Sequence, residues 1–361
     1  MKKFQKFIFS RRVVGVFLTV CLCAPFAVCA QALSLPQDSG EFSAALALEA
    51  LALCQGITAQ DASQAVQEQG FTVLAQQHFD KAEDDPSHTC AFTLATAQLT
   101  YQQEPRTLLL VAIRGTSAGE WYANFDFEPS ESSGGSFAGN FLFAAQDAFL
   151  SVQQALSQME NPLVLVCGYS RGAACANLLG LMLNAICPQE NVFVYTFATP
   201  ATVCGDASAY AAENIFNVVK EADIVTHVPL AQWGYSRAGT DIVLPSQQAL
   251  VERAEDALAT MGEIVPDIES YYKDRHSLTE AGLSEDGMTA FEMMLLVASS
   301  LAEADESMAV KETPVLESVA QESDFYPLAL LLDKASEDPA VLQEHLPQGY
   351  LQELTALSAQ E

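Results

Sequence analysis

Positive charge is scarce in this sequence of 361 residues: 16 Lys and Arg stand against 46 Asp and Glu. Five of the bases, Lys2, Lys3, Lys6, Arg11 and Arg12, precede residue 31, where there is no acid, so the rest of the chain carries 11 − 46 = −35. A body this acidic repels phosphate backbones and anionic lipid surfaces, which excludes a general nucleic-acid binder and a protein held on membranes by a polybasic face. Metal-ligand spacing is also missing. The nine cysteines contain no C-x-x-C pair, and with five histidines they form no Cys/His cluster of zinc type. No metal and no other cofactor is implied, and no internal repeat is present.

What remains is a chain that is half apolar and 17% charged, too apolar for disorder and long enough for one large domain or two small ones. The bases at the start are followed by an uncharged run over residues 13–30, broken at Pro25 and ending in Val28, Cys29 and Ala30. A charged region, an apolar region and a small-residue ending describe a secretory signal cleaved to leave Gln31 as the first residue. The run before Pro25 is shorter than the roughly 20 residues a membrane span needs, so an uncleaved anchor is the lesser reading. No lipid attachment site precedes Cys21, Cys23 or Cys29. Six cysteines remain after residue 31; in an exported protein some could pair, although their connectivity is not readable, and Cys167 and Cys175 sit among core-type residues.

Helix-forming sequence occupies residues 41–54 and 59–69, stopped by Gly56 and Gly70. Strand-like runs follow at 91–99, 107–113, 163–167, 192–197 and 214–219, with helical stretches at 141–156 and 171–186. Continuous apolar strands alternating with helices predict a mainly parallel sheet covered on both faces, an α/β architecture. The Gly/Ser-rich segment 128–139 reads as a mobile surface loop. The apolar, Met-containing segment 288–301 reads as a core helix. After residue 302 the chain holds 13 acids against Lys311 and Lys334. The expected division is therefore a signal at 1–30, a catalytic-type α/β domain at 31–302 and an acidic, partly helical appendage at 303–361.

Residues 168–172, Gly-Tyr-Ser-Arg-Gly, read G-x-S-x-G between an apolar strand and a helix rich in small residues. That context predicts a nucleophile elbow: Ser170 on a sharp turn, with Gly168 and Gly172 removing the Cβ atoms that would clash. A serine nucleophile needs a base, and the base an orienting acid. Asp223, just after the strand-like run 214–219, is expected at the same sheet edge, with Asp206, Asp241 and Asp274 as surface alternatives. Among the downstream histidines, His227 is only four residues from Asp223 and His345 falls in the acidic appendage. His276, on a loop beyond another strand and helix, is the expected base. Donors for a developing oxyanion are expected from the backbone N–H of Arg171 at the helix start and of Thr116 after the strand 107–113.

Taken in order, Arg-Gly-Thr at 114–116 with Trp121 after it, Gly-Tyr-Ser-Arg-Gly, Phe-Ala-Thr-Pro at 197–200, the stretch 217–229 and His276 resemble the class 3 lipases, the fungal-lipase-like branch of the α/β-hydrolases. The resemblance covers roughly residues 41–280. It implies an α/β-hydrolase fold with Ser170 as nucleophile, Asp223 as acid, His276 as base and the Thr116 and Arg171 amides as the oxyanion hole. It also implies a lid at about 117–135. Two departures stand out. Residues 138–141, Ala-Gly-Asn-Phe, replace a His-x-Gly-Phe element found in many members, and Arg171 stands where fungal lipases tend to have an aliphatic residue.

The function expected is a secreted or periplasmic serine ester hydrolase acting through an acyl-enzyme, with lipid esters the substrate class implied by the resemblance. The only other partner expected is a lipid surface, touched transiently by a lid exposing Trp121, Phe125 and Phe127, residues that core packing would equally explain. Alternatives on the same scaffold are a phospholipase A1, a polysaccharide-ester or feruloyl-type esterase, and a non-catalytic binding protein.

Overall fold

The computed structural model describes residues 33–57, 62–79, 88–116, 124, 127–132, 134–264, 266–270, 341 and 343–360. Helix α1 (Ala44–Gly56) starts at Ser43, whose hydroxyl accepts the Leu46 N–H at 3.2 Å, a side-chain cap for one of the four donors a helix start leaves unpaired. A short helix, α2 (Ala62–Glu68), leads into an antiparallel meander of β1 (Thr72–Gln77), β2 (Phe92–Tyr101) and β3 (Glu104–Ile113).

From β3 onward the main sheet grows in parallel. β6 (Leu163–Tyr169) pairs with β3, β7 (Val192–Phe197) with β6, β9 (Ile215–Lys220) with β7, and β11 (Thr240–Leu244) with β9. The order is β1-β2-β3-β6-β7-β9-β11. Four of its six pairings are parallel, and β6, β7 and β9 are buried along their whole length. This is why their sequences read as unbroken apolar runs: both faces need cover.

Side-chain alternation divides the core in two. Leu109, Val111, Val164, Val166 and Val194 face one layer, which contains α3 (Gly139–Leu156) and α4 (Arg171–Asn184). Leu108, Leu110, Leu163, Leu165 and Tyr195 face the other, which contains α1 and a last helix, α6 (Pro347–Ser358). Helix α5 (Gln248–Ile264) packs Leu250 and Ala254 with Ala222, Ile224 and Val341 beyond the sheet's edge. A mixed sheet wrapped by helices on both faces, with the G-x-S-x-G turn joining β6 to α4, is the α/β-hydrolase fold.

Two expectations about local structure change. The Gly/Ser-rich stretch expected as a mobile loop is a hairpin, β4 (Pro129–Ser132) and β5 (Gly135–Ala138), which joins β8 (Val203–Cys204) and β10 (Tyr235–Ser236) in a second, four-stranded antiparallel sheet. Gly135 lies in the left-handed region at φ 133°, and a Cβ there would sit 2.0 Å from the Tyr210 hydroxyl. That hydroxyl accepts the Ser136 N–H at 3.1 Å, so the glycine lets Tyr210 cap the hairpin.

The other change concerns the end of the chain. Residues 341 and 343–360 are not set apart from the domain: Val341 is 3% exposed and Tyr350 and Leu354 are fully buried, the latter two against α1 and the strands. Proline opens α6 at a position where its missing N–H costs nothing, and Tyr350 and Leu354, one turn apart, make the buried stripe. The core helix expected at 288–301 and the signal at 1–30 lie outside the described residues. All six cysteines after residue 31 are free thiols; Cys54 and Cys167 both lie in the core, where burial first and the neighbouring Cys167 thiol second push the Cys54 thiol well up.

Candidate active site

The strand-to-helix turn after β6 holds Ser170 at φ 54° and ψ −123°, a conformation costly for any residue with a side chain. The flanking glycines explain how it is tolerated. A Cβ on Gly168 would meet the Gly172 carbonyl oxygen at 2.2 Å, and one on Gly172 would meet the Arg114 and Ile113 oxygens at 2.4 and 2.6 Å. The turn is pinned from below, because the Ser170 N–H donates to the Phe197 carbonyl at 2.9 Å. From above, the Ser170 carbonyl accepts from Ala173 and Ala174 and starts α4.

Asp223 follows β9 by a two-residue turn and caps the 3-10 turn Ile224–His227, accepting the Val225 N–H at 3.0 Å. It has no solvent exposure. Burial by itself would raise its pKa. The His345 imidazole, the Tyr350 hydroxyl and the Val225 N–H together outweigh that and hold the carboxyl below the ordinary value of 3.8.

The imidazole between these two groups belongs to His345. Its Nε2 lies 2.9 Å from Ser170 Oγ and its Nδ1 lies 3.0 and 2.9 Å from the two Asp223 oxygens. This corrects the expectation of His276, which falls outside the described residues. The reason is the docking of α6, which carries the residue just before its N-terminus to the sheet edge. His227, at the exposed end of the 3-10 turn, is not the residue that meets Ser170.

Three contacts seat the loop that bears His345. The Tyr169 hydroxyl, one residue before the serine, donates to the His345 carbonyl. The Tyr350 hydroxyl donates to Asp223 Oδ2 at 2.6 Å while accepting the Lys220 N–H at 3.2 Å. Glu344 forms an ion pair with Lys220 at 2.8 Å and accepts the Ser246 hydroxyl at 2.6 Å, with side-chain exposures of only 13% for Glu344 and 6% for Lys220. Sequence reasoning passed over Tyr350, Glu344 and Lys220. The available signal was the Tyr350, Leu354, Leu357 stripe, which marks a docked helix starting two residues after a histidine.

The remaining acids have other duties. Asp206 caps the 3-10 turn Ala207–Tyr210, Asp241 pairs with Arg237 at 3.0 Å, and Asp274 lies outside the described residues. The loop after β3 is packed on the elbow: a Cβ on Gly115 would stand 3.2 Å from the Tyr169 carbonyl and 3.9 Å from Ser170 Cβ. Thr116 follows it, and Arg171 is the first residue of α4, where backbone N–H groups and the helix dipole both favour an anion. Most of the expected lid, with Trp121 and Phe125, lies outside the described residues. Phe127 does not face solvent; it is 1% exposed and packs on Trp233. Among the described residues there is no cluster suited to a metal ion and no helix long and apolar enough to cross a membrane.

Residues 110–233 match the model of the family Lipase (class 3). No curated protein matches the chain. Among solved structures, a Rhizomucor miehei lipase in complex with its propeptide is 22% identical, with 55% of this chain and 64% of that chain covered at a TM-score of 0.41. A lipase from Rhizopus microsporus var. chinensis is 21% identical, with 55% and 71% covered at 0.41. A lipase from Yarrowia lipolytica is 15% identical, with 55% and 77% covered at 0.42. The chain thus spans about 64% of the length of the first of these. Over residues 110–233, which hold the elbow and Asp223, this chain is thus similar to the class 3 lipases.

Proposed function

We infer that the protein is a serine-dependent carboxylic ester hydrolase whose substrates are lipid esters. The observation that carries this reading is the single hydrogen-bonded line from Ser170 Oγ through His345 to Asp223. Ser170 Oγ attacks the ester carbonyl while its proton passes to His345 Nε2. The Nδ1–H of the same ring donates to Asp223, which stays ionised and stabilises the imidazolium. The negative charge on the carbonyl oxygen falls to the backbone N–H groups of Thr116 and Arg171. Return of the Nε2 proton releases the alcohol and leaves an acyl group on Ser170, and water activated by the same imidazole then frees the acid. A buried carboxylate held below its usual pKa suits this role, because an acid that took up the proton would lose its hold on the ring.

The lipid-ester substrate class is supported by the family match, and export by the reading of residues 1–30 as a cleaved signal. Hydrolysis of a short and a long p-nitrophenyl acyl ester tests the first, with Ser170→Ala and His345→Ala beside the unmutated protein. Loss of turnover in both variants with folding retained is expected, and the ratio between esters reads the acyl preference. Full turnover by Ser170→Ala would overturn the mechanism. N-terminal sequencing of the exported protein, with Gln31 expected first, tests the second, and an intact Met1 would refute cleavage.

A further inference from the structure

Arg237 stands behind the site and has no part in the chemistry above. It follows β10, and the chain on either side of it is pinned. Before it, the Ser236 carbonyl accepts the Thr202 N–H at 2.7 Å. After it, the Ala238 carbonyl accepts Nδ2 of Asn177 and Nδ2 of Asn217, each at 2.9 Å, and both asparagines are fully buried. Gly239 lies at φ 84°, where a Cβ would meet the Ile215 carbonyl oxygen at 2.4 Å. The root of the arginine is thus fixed to α4 through Asn177 and to β9 through Asn217.

Its guanidinium is divided between two tasks. Nε and Nη2 donate to the Asp241 carboxylate at 3.0 and 2.5 Å, the paired geometry that a planar fork makes with a carboxylate. That pairing turns Nη1 inward, where it donates to two backbone carbonyls, Thr199 at 3.2 Å and Thr226. Those carbonyls belong to the loops behind Ser170 and Asp223. Thr199 lies two residues beyond Phe197, whose carbonyl accepts the Ser170 N–H. Thr226 closes the turn of the acid, since its N–H and its hydroxyl both donate to the Asp223 carbonyl, at 3.1 and 2.8 Å. A single nitrogen therefore joins the loop beneath the nucleophile to the turn that carries the acid.

We propose that Arg237 is a positioning residue for the reaction at Ser170: held in plane by Asp241, it sets the spacing between the Asp223 turn and the loop after β7. The ladder between β7 and β9 stops at Phe197 and Val218, so the loops that follow depend on cross-links of this kind. The imidazole between Asp223 and Ser170 has contacts of 2.9 Å at both ends and no slack to absorb a change in that spacing. Arg237 touches no substrate and moves no proton. The proposal rests on the ester-hydrolase reading. It also requires an arginine, because a lysine ammonium is a compact charge without a fork and cannot hold Asp241 and both carbonyls from fixed directions.

Arg237→Lys and Arg237→Ala separate positioning from support alone when turnover is counted per active site. Titration with a p-nitrophenyl phosphonate, which reacts once with a competent serine, gives the number of sites, and p-nitrophenyl butyrate gives the rate with the full chain. Both variants are expected to titrate fully and to lose roughly ten- to a hundredfold in kcat per site, the scale of a small misplacement of reacting groups. KM should change by less than about twofold. A supporting role alone would lower the melting temperature or the number of sites and leave kcat per site unchanged. A cavity of about 480 Å³ bordered by Thr226, Arg237 and Asp241 lies beside the guanidinium. Millimolar guanidinium should therefore restore part of kcat to Arg237→Ala, methylammonium less, and neither should raise the unmutated protein. Asp241→Asn, at a side chain 36% exposed, covers the case in which Arg237→Ala does not fold, and should lose about threefold or more in kcat per site as the fork comes free. Unchanged kcat per site in either Arg237→Lys or Asp241→Asn overturns the proposal. Full turnover by Ser170→Ala overturns the hydrolase reading instead, so the two failures are distinguishable.

Discussion

Tyr350→Phe isolates one oxygen atom at the base of the site. The ring remains, with its fully buried packing and its edge-on contact with Tyr169 at 6.0 Å, so no cavity opens. Two bonds are lost: the donation to Asp223 Oδ2 at 2.6 Å and the acceptance of the Lys220 N–H at 3.2 Å. A hydrogen bond to a charged group contributes about 1.5–3 kcal/mol, and a stranded buried donor costs about 1–3 kcal/mol. Water does not replace the hydroxyl, since Asp223 and Tyr350 are both at zero exposure. The two losses share one atom and overlap, so about 3 kcal/mol is the expected total, read as a fall in melting temperature of roughly 6–12 °C for a domain of about 150–250 residues. A second signature concerns pH. Asp223 is held below its ordinary value partly by this hydroxyl, and a carboxyl with a depressed folded pKa contributes stability that is lost as pH falls through that pKa. Removing the hydroxyl raises the folded pKa, so the acid limb of unfolding moves to higher pH. Because Val225 and His345 still hold Asp223, kcat should drop by less than about tenfold. Thermal melts across the acid range, with ester turnover at neutral pH, read all three. A variant melting within about 2 °C of the unmutated protein, with its acid limb unmoved, would show that Tyr350 does not hold the acid.

Gly172→Ala forces a Cβ to within 2.4 Å of a backbone oxygen on β3's exit loop, so ester turnover should vanish or the protein should fail to express folded, whereas Gly205→Ala, a glycine at φ 103° with open space, should cost only its backbone strain. Lys220→Met leaves the Glu344 carboxylate buried without its cation and should cost about 3–5 kcal/mol in denaturant unfolding. The exchange Lys220→Glu with Glu344→Lys should recover part of both stability and kcat; recovery of neither would argue against an ion pair seating the histidine loop. Deleting residues 341–361 removes His345 together with α6 and should abolish turnover of even small soluble esters, and retention of that turnover would contradict the assignment of the base.

Much of the sheet was legible because its parallel strands are buried on both faces and cannot hide among polar residues, as in Leu163–Tyr169. The elbow was legible for a related reason: the 2.2 and 2.4 Å approaches at Gly168 and Gly172 leave no other residue for those positions. Asp223 could be placed at the sheet edge because it comes three residues after β9 ends. The histidine could not be placed that way. No short turn ties it to a strand, and its place depends on a helix docking from far along the chain. The acid count after residue 302 then misled, since only Glu344, Glu353 and Glu361 of the 13 fall at or after residue 341. The hairpin at 129–138 was misread for the opposite reason, because its polar and glycine residues show no apolar alternation ahead of the buried pair Phe137 and Ala138, and it owes its order to that pair, to Tyr210 and to β8.

A base delivered by the end of the chain couples turnover to the docking of that end. Ser170 and Asp223 each follow a strand, β6 and β9, that is paired with a neighbour on both sides. His345 is fixed by what α6 brings to the core: Tyr350 and Leu354 against the sheet, Glu344 against Lys220, and the Tyr169 hydroxyl on its own carbonyl. The hydrogen bonds and the ion pair join the last segment to Tyr169 beside Ser170, to Lys220 three residues before Asp223, and to Asp223 itself. Undocking therefore removes the base and strips Asp223 of two partners, the imidazole and the Tyr350 hydroxyl, in a single event. Local openings of this sort have free energies of their own, below that of global unfolding. Substitutions that weaken α6 docking should thus lower kcat in proportion to the docked fraction while leaving KM unchanged, and they should do so before the central sheet begins to melt.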